Sequence, residues 1–149
     1  LQLACAAALS CVTADPEPGL PLLVKALEDP DPQIRLAAME KIALLGRTAH
    51  SAAPNLLRCT TDPEESVRAT AVLTLGRIQA PHATVVPGIR PCLSDPSGEV
   101  RYAAGVVLAG CGADSRSALP ALRGCLQDPV EKVAKCAAAA VDKIESSIP

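Results

Sequence analysis

Apolar side chains return along this chain at a fixed beat. A β-branched residue stands at Ile34, Val67, Val100 and Val133, an alanine at Ala38, Ala71, Ala104 and Ala137, and a larger aliphatic at Ile42, Leu75, Leu108 and Val141, each column stepping by 33 residues. Asp-Pro pairs at Asp29-Pro30, Asp62-Pro63, Asp95-Pro96 and Asp128-Pro129 keep the same period. A constant period of roughly 20 to 50 residues marks stacked supersecondary units rather than one globular core. Counted from each Asp, the apolar columns fall at offsets five, nine, thirteen and sixteen, which is one face of a helix of about 3.6 residues per turn. The pattern predicts a helix starting at every Asp-Pro.

The residues at these starts have capping chemistry. Asp62, Pro63 and Glu65, repeated as Asp128, Pro129 and Glu131, have the form of a capping box: the Asp meets free amides and the proline lacks the amide that would go unpaired. A second proline column, Pro21, Pro54, Pro87 and Pro120, stands eight residues before each Asp. It lies among apolar residues such as Leu20, Leu23 and Leu27, or Leu119, Leu122 and Leu126, and predicts an earlier helix in every unit. Asp15, Thr48 and Asp114 are the expected caps of these first helices. The proline then falls past the first turn and is expected to kink the helix.

In these columns the chain resembles the HEAT repeat family over nearly all of its 149 residues. The resemblance implies an all-α fold, a right-handed α-solenoid of antiparallel helix pairs, with about four full units and an N-terminal half unit. The expected bounds are 15–46, 47–79, 80–112 and 113–149, the last including a C-terminal cap. The family also carries an Asp and an Arg flanking the turn and the second helix. Here these are Asp29 with Arg35, Asp62 with Arg68, and Asp95 with Arg101, and the resemblance implies that they form a structural ladder of hydrogen bonds from unit to unit. In the fourth unit Ala134 replaces the Arg, so the ladder is expected to end at Asp128. Armadillo repeats, a related family, expect a third helix for which 33 residues leave little room. Leu3, Cys5, Leu9 and Val12 share the register of Leu36, Ala38, Ile42 and Leu45, which makes residues 1–14 the expected second helix of a truncated unit in a longer solenoid.

Composition narrows the function. Tyr102 is the only aromatic residue, so the core is built from aliphatic side chains, Ala and Cys. With 14 basic and 16 acidic residues, scattered along the chain, the charge argues against a nucleic-acid partner. No apolar run approaches the roughly 20 residues needed to span a bilayer, so no membrane partner is expected. Cys59, Cys92 and Cys125 occupy one column, and helices packed 8–10 Å apart hold such positions beyond disulfide reach of about 7 Å. With Cys5, Cys111 and Cys136 also on core-facing offsets, buried thiols and a reducing, cytoplasmic location are expected. No Cys-x-x-Cys or Cys/His cluster has metal-ligand spacing, and no cofactor is expected.

Enzymatic relatives of the family were compared at their own motifs. Its deoxyhypusine hydroxylases use His-Glu pairs to hold iron, whereas here His50 precedes Ser51 and His82 precedes Ala83. Its DNA glycosylases stack aromatic residues on nucleic acid, and one tyrosine does not supply that. A repeat segment of a larger enzyme, such as a bilin lyase-like protein, stays open as the alternative.

The remaining signal lies on the face of the second helices opposite the core, at offsets three, seven, ten, eleven and fourteen. Its apolar members include Leu36 and Met39, then Ala69, Val72 and Leu73, then Tyr102 and Val106, with Glu40 and Lys135 as charged members. The resemblance places second helices on the concave side. The resulting expectation is a non-catalytic protein-protein interaction scaffold whose apolar groove takes a helix or extended peptide. Another part of the full-length chain is a second possible occupant.

Overall fold

The computed structural model describes residues 16–148. The expected helix of residues 1–14 and its apolar register, and the cap at Asp15, lie outside them. The described chain is helical and divides by internal packing into two compact units, one ending at Ala80 and one beginning at Pro81.

The first unit contains α1 (Pro16–Ala26), α2 (Pro32–Leu45), a 3₁₀ segment (Gly46–Ala52), α3 (Ala53–Cys59) and α4 (Glu65–Arg77). Short links fold α1 onto α2 and α3 onto α4, and the two second helices, α2 and α4, pack side by side. The second unit contains α5 (His82–Ile89), a 3₁₀ segment (Arg90–Ser94), α6 (Gly98–Gly110), a 3₁₀ segment (Gly112–Ala118), α7 (Leu119–Gly124), a 3₁₀ turn (Cys125–Gln127) and α8 (Glu131–Ser146). Here α6 packs on α8. The core columns are buried in both units: Ala38, Ile42, Val67, Ala71 and Leu75 in the first, and Val100, Ala104, Leu108, Val133 and Ala137 in the second. Ile34 is only half-buried.

The second helices start later than the sequence predicts. Each begins three residues past its Asp, and the Asp carboxylate holds the backbone amide two residues on: Asp29 that of Asp31, Asp62 that of Glu64, Asp95 that of Ser97 and Asp128 that of Val130, at 2.8–2.9 Å. This is a side-chain-closed turn, not a helix cap. The capping boxes of Asp62 with Glu65 and Asp128 with Glu131 are not formed; Glu64 and Val130 hold the cap positions without a capping side chain. Among the four second helices only α2 has a side-chain cap, Asp31 accepting from the Gln33 amide at 2.9 Å, with Pro32 in the first helical position. The start is equally late in the fourth unit, where Ala134 replaces the arginine, so the shared cause is the turn itself: the residue two past each Asp is extended, with ψ of 117°, 123°, 125° and 107°. In the first three units an arginine also donates to the Asp carbonyl, at Asp29, Asp62 and Asp95.

The first helices also differ from a single kinked helix. Pro21 and Pro87 do lie inside helices, α1 and α5. Pro54 and Pro120 instead stand in the first turns of the short helices α3 and α7, after 3₁₀ segments. A proline in the first turn lacks an amide that would be unpaired there anyway, so the α-helix begins at it and the residues before it coil more tightly. Thr48 and Asp114 sit inside those 3₁₀ segments and cap neither helix; the Thr48 hydroxyl donates to the Leu45 carbonyl at 2.8 Å.

Gly46, Gln79 and Gly112 form another 33-residue column, and all three have positive φ, at 55°, 50° and 54°. Glycine suits this backbone, whereas an L side chain there costs roughly 1–2 kcal/mol. Gln79→Gly relieves that strain and gives back about 0.5–1 kcal/mol through a looser unfolded chain. The expected net is a gain of about 0.5 kcal/mol, read as a higher urea midpoint at unchanged slope. A lower midpoint would mean that the Arg47 guanidinium, which donates to the Gln79 side chain, outweighs the strain.

Candidate interaction surface

The turn arginines are built into the backbone. Arg35 Nη1 donates to the carbonyls of Asp29 and Pro30 at 2.8 and 3.1 Å, and its Nη2 reaches forward to Asp62 Oδ1 at 2.8 Å. Arg68 makes the same two backbone contacts, with Asp62 and Pro63 at 2.9 and 3.1 Å. Arg101 holds the carbonyls of Asp95 and Pro96 and grips Asp128 with a two-pronged fork, Nε to Oδ2 at 2.7 Å and Nη2 to Oδ1 at 2.8 Å. The carboxylates that Arg35 and Arg101 reach, Asp62 and Asp128, thus belong to the following repeat, while within their own repeat these arginines donate to the Asp backbone carbonyl. Arg35 approaches one-sidedly and leaves its buried Nε without a partner. Ala134, where the fourth Arg would stand, is half-buried.

The stripe opposite the core splits in two. Leu73, Tyr102 and Val106 are 36%, 36% and 39% exposed, Glu40 and Lys135 are exposed, and Leu36 and Ala69 are half-buried. Met39 and Val72 are fully buried and are not available to a partner. Both stand at offset ten, about 100° from the core direction, and on α2 this flank turns toward α4, which packs beside it. Their counterpart Gly105 is also buried, and a Cβ there would come within 3.0 Å of Cys136 Sγ, so glycine permits the close approach of α6 and α8.

In the second unit the charges of this face are mutually satisfied. Lys132 Nζ lies 5.2 Å from the centre of the Tyr102 ring and also pairs with Glu99, and Lys135 pairs with Glu131 at 2.6 Å. In the first unit Leu44, at offset fifteen, is 79% exposed. Its column otherwise holds Arg77, Gly110 and Lys143, so a leucine there departs visibly from the repeat.

The cysteine column faces inward, with Cys59 Sγ donating to the Leu27 carbonyl at 3.9 Å and Cys125 Sγ to that of Leu93 at 3.4 Å. Burial pushes the thiols of Cys59, Cys111 and Cys125 up, which keeps them protonated. Cys136 is only half-buried, contrary to its core-facing offset. His50 Nδ1 lies 2.8 Å from the Arg47 carbonyl, and His82 Nδ1 lies 2.6 Å from Asp114 Oδ2. Among the described residues no group of three His, Cys, Asp or Glu side chains could hold a metal ion, and no helix is long and apolar enough to cross a membrane.

Residues 20–86 match the family model for HEAT repeats. No curated protein matches the chain. Among solved structures, an engineered protein from a structural genomics consortium is 21% identical, with a TM-score of 0.71 over 87% of this chain and 63% of its own. A designed armadillo repeat protein in complex with the peptide (KR)4 is 23% identical, with a TM-score of 0.70 over 85% and 64%. Computationally designed armadillo repeat proteins for modular peptide recognition are 25% identical, with a TM-score of 0.70 over 84% and 64%. The chain thus spans a little under two thirds of the length of these neighbours. The 33-residue beat, the all-α units of paired helices and the matched stretch identify an α-solenoid built of HEAT-like repeats.

Proposed function

We propose that this chain is a non-catalytic interaction scaffold that holds a helix or peptide on the outward face of its second helices. The observation that carries the reading, taken unit by unit, is the exposure of Leu73 in the first unit and of Tyr102 and Val106 in the second, on helices whose opposite faces are packed. Apolar side chains left open in register on rigid elements favour docking, because covering them removes apolar area from water without reorganising the backbone. Leu36 and Ala69 beside Leu73, and Lys135 at the charged end near Tyr102, complete the proposed contacts. The arginines and aspartates of the turns are assigned a structural role, holding the helices that present this face. Similarity in fold to designed proteins whose descriptions name peptide recognition is consistent with this use.

A displayed random-peptide library panned on the whole chain tests the reading. Wild type is expected to enrich a shared sequence, Leu73→Ser/Tyr102→Ala to lose it, and Leu22→Ser, at a 52% exposed leucine on α1, to keep it. Equal enrichment by the double variant, or none by wild type, would defeat the proposal.

A further inference from the structure

We infer that the second-helix face of the first unit accepts an amphipathic helix with one basic residue set between apolar residues a turn away on either side, centred on Glu40. This rests on the scaffold reading and specifies the chemistry of its partner.

The placement follows from register. On α2, Leu36, Glu40 and Leu44 stand at successive four-residue steps, about 6 Å apart along the axis and on one side of the helix. One repeat later Ala69, Leu73 and Arg77 occupy the same columns on α4, which packs beside α2. Glu40 therefore sits among Leu36, Leu44 and Leu73, of which Leu44 is 79% exposed and Leu73 36%.

Its charge has no local explanation. Both neighbours of Glu40 at four residues are leucines, so there is no helical ion pair, and among the described residues it has no salt-bridge or side-chain hydrogen-bond partner. By contrast, exposed Glu65 and Arg77 stand in the first and last turns of α4, where the dipole favours each. On the second unit the corresponding face is neutralised internally by the pairs Lys132–Glu99 and Lys135–Glu131. A carboxylate with half-buried Leu36 and exposed Leu44 and Leu73 around it complements a cation on an aliphatic stem. Arginine or lysine can lay its methylenes over Leu36 and Leu73 and bring its charge to Glu40, while flanking apolar residues cover Leu44 and Leu73.

The test uses the whole chain and three labelled 18-residue helical probes read by fluorescence anisotropy at low and moderate salt. One carries Leu-x-x-x-Arg-x-x-x-Leu, the second replaces the Arg by Glu, and the third replaces both Leu by Ser. The Arg probe is expected to bind about tenfold more tightly than either other probe, with the preference over the Glu probe weakening as salt is raised. Glu40→Lys is expected to reverse the preference between Arg and Glu probes, and Leu73→Glu to abolish binding of the Leu-bearing probes. Equal binding of the Arg and Glu probes, lost in Leu73→Glu, would overturn this inference and leave the scaffold reading standing. Absence of binding by all three probes would overturn it as well, and the peptide-display experiment alone would then decide the broader reading.

Discussion

Met39→Glu and Val72→Glu are each expected to abolish the folded state, whereas Leu73→Glu and Val106→Glu leave it intact. All four residues lie on the stripe that helical periodicity assigns to one side of the second helices. Met39 and Val72 are 0% exposed, however, while Leu73 is 36% and Val106 39% exposed. A carboxylate forced into such a fully buried position costs more than about 4 kcal/mol. That is a large share of the roughly 5–15 kcal/mol that holds a domain together, and most of it at the lower end. At Leu73 and Val106 the new carboxylate stays hydrated, and the expected cost is about 1 kcal/mol or less. Far-ultraviolet circular dichroism with thermal unfolding separates the two groups. If Leu73→Glu or Val106→Glu unfolded the chain as Met39→Glu does, the outward stripe would be packing surface and the scaffold proposal would lose its basis.

Arg35→Ala is expected to cost about 3 kcal/mol, the second-largest effect. The side chain is 10% exposed and donates to two carbonyls of its own turn and to the Asp62 carboxylate, whose side chain is 9% exposed. Deleting it leaves buried acceptors unpaired, which is why removing one member of such a pair is expensive even where the intact pair is nearly neutral. Urea unfolding measures the loss, and a change below about 0.5 kcal/mol would show that the turn needs no clamp. Arg101→Ala is expected to act in the same direction, with an added pH signature. The hydrogen bonds from Arg101 hold the Asp128 carboxyl below its ordinary value, against the opposing effect of desolvation. A lowered folded-state pKa means that the contribution is complete above the unfolded value of about 3.9 and is lost as pH falls through the folded value. The stability gap between wild type and Asp128→Asn should therefore be constant near neutrality and close below about pH 4. A gap that stays open at pH 2 would assign the effect to packing rather than to the ion pair.

Helix starts and flank burial were the places where one-dimensional reasoning fell short, and both have identifiable causes. Asp62 followed by Pro63 and Glu65 satisfies every local condition for a capping box. The helix nonetheless begins at Glu65, because the Asp62 carboxylate closes a turn on the Glu64 amide and Glu64 stays extended. The capping box and this turn use the same residue types, so local sequence does not separate them. Likewise the angle of offset ten was correct, but an angle on one helix does not say how close the next helix comes. Met39 and Val72 are fully buried although Leu73, one residue further round, is open. The cation over Tyr102 comes from Lys132, one repeat away, and only the packing of α6 against α8 brings the two together.

The sequence by itself determined the repeat period, the helical class and the inward columns. Each of these is a property of spacing along one chain, and a fixed spacing of apolar residues can be buried in only one way per helix. Tertiary structure alone decided which carboxylate each arginine reaches, where the helices begin, and which residues of the outer stripe remain open. Those outcomes depend on the distance and angle between helices, and that distance is set by the side chains of two repeats at once.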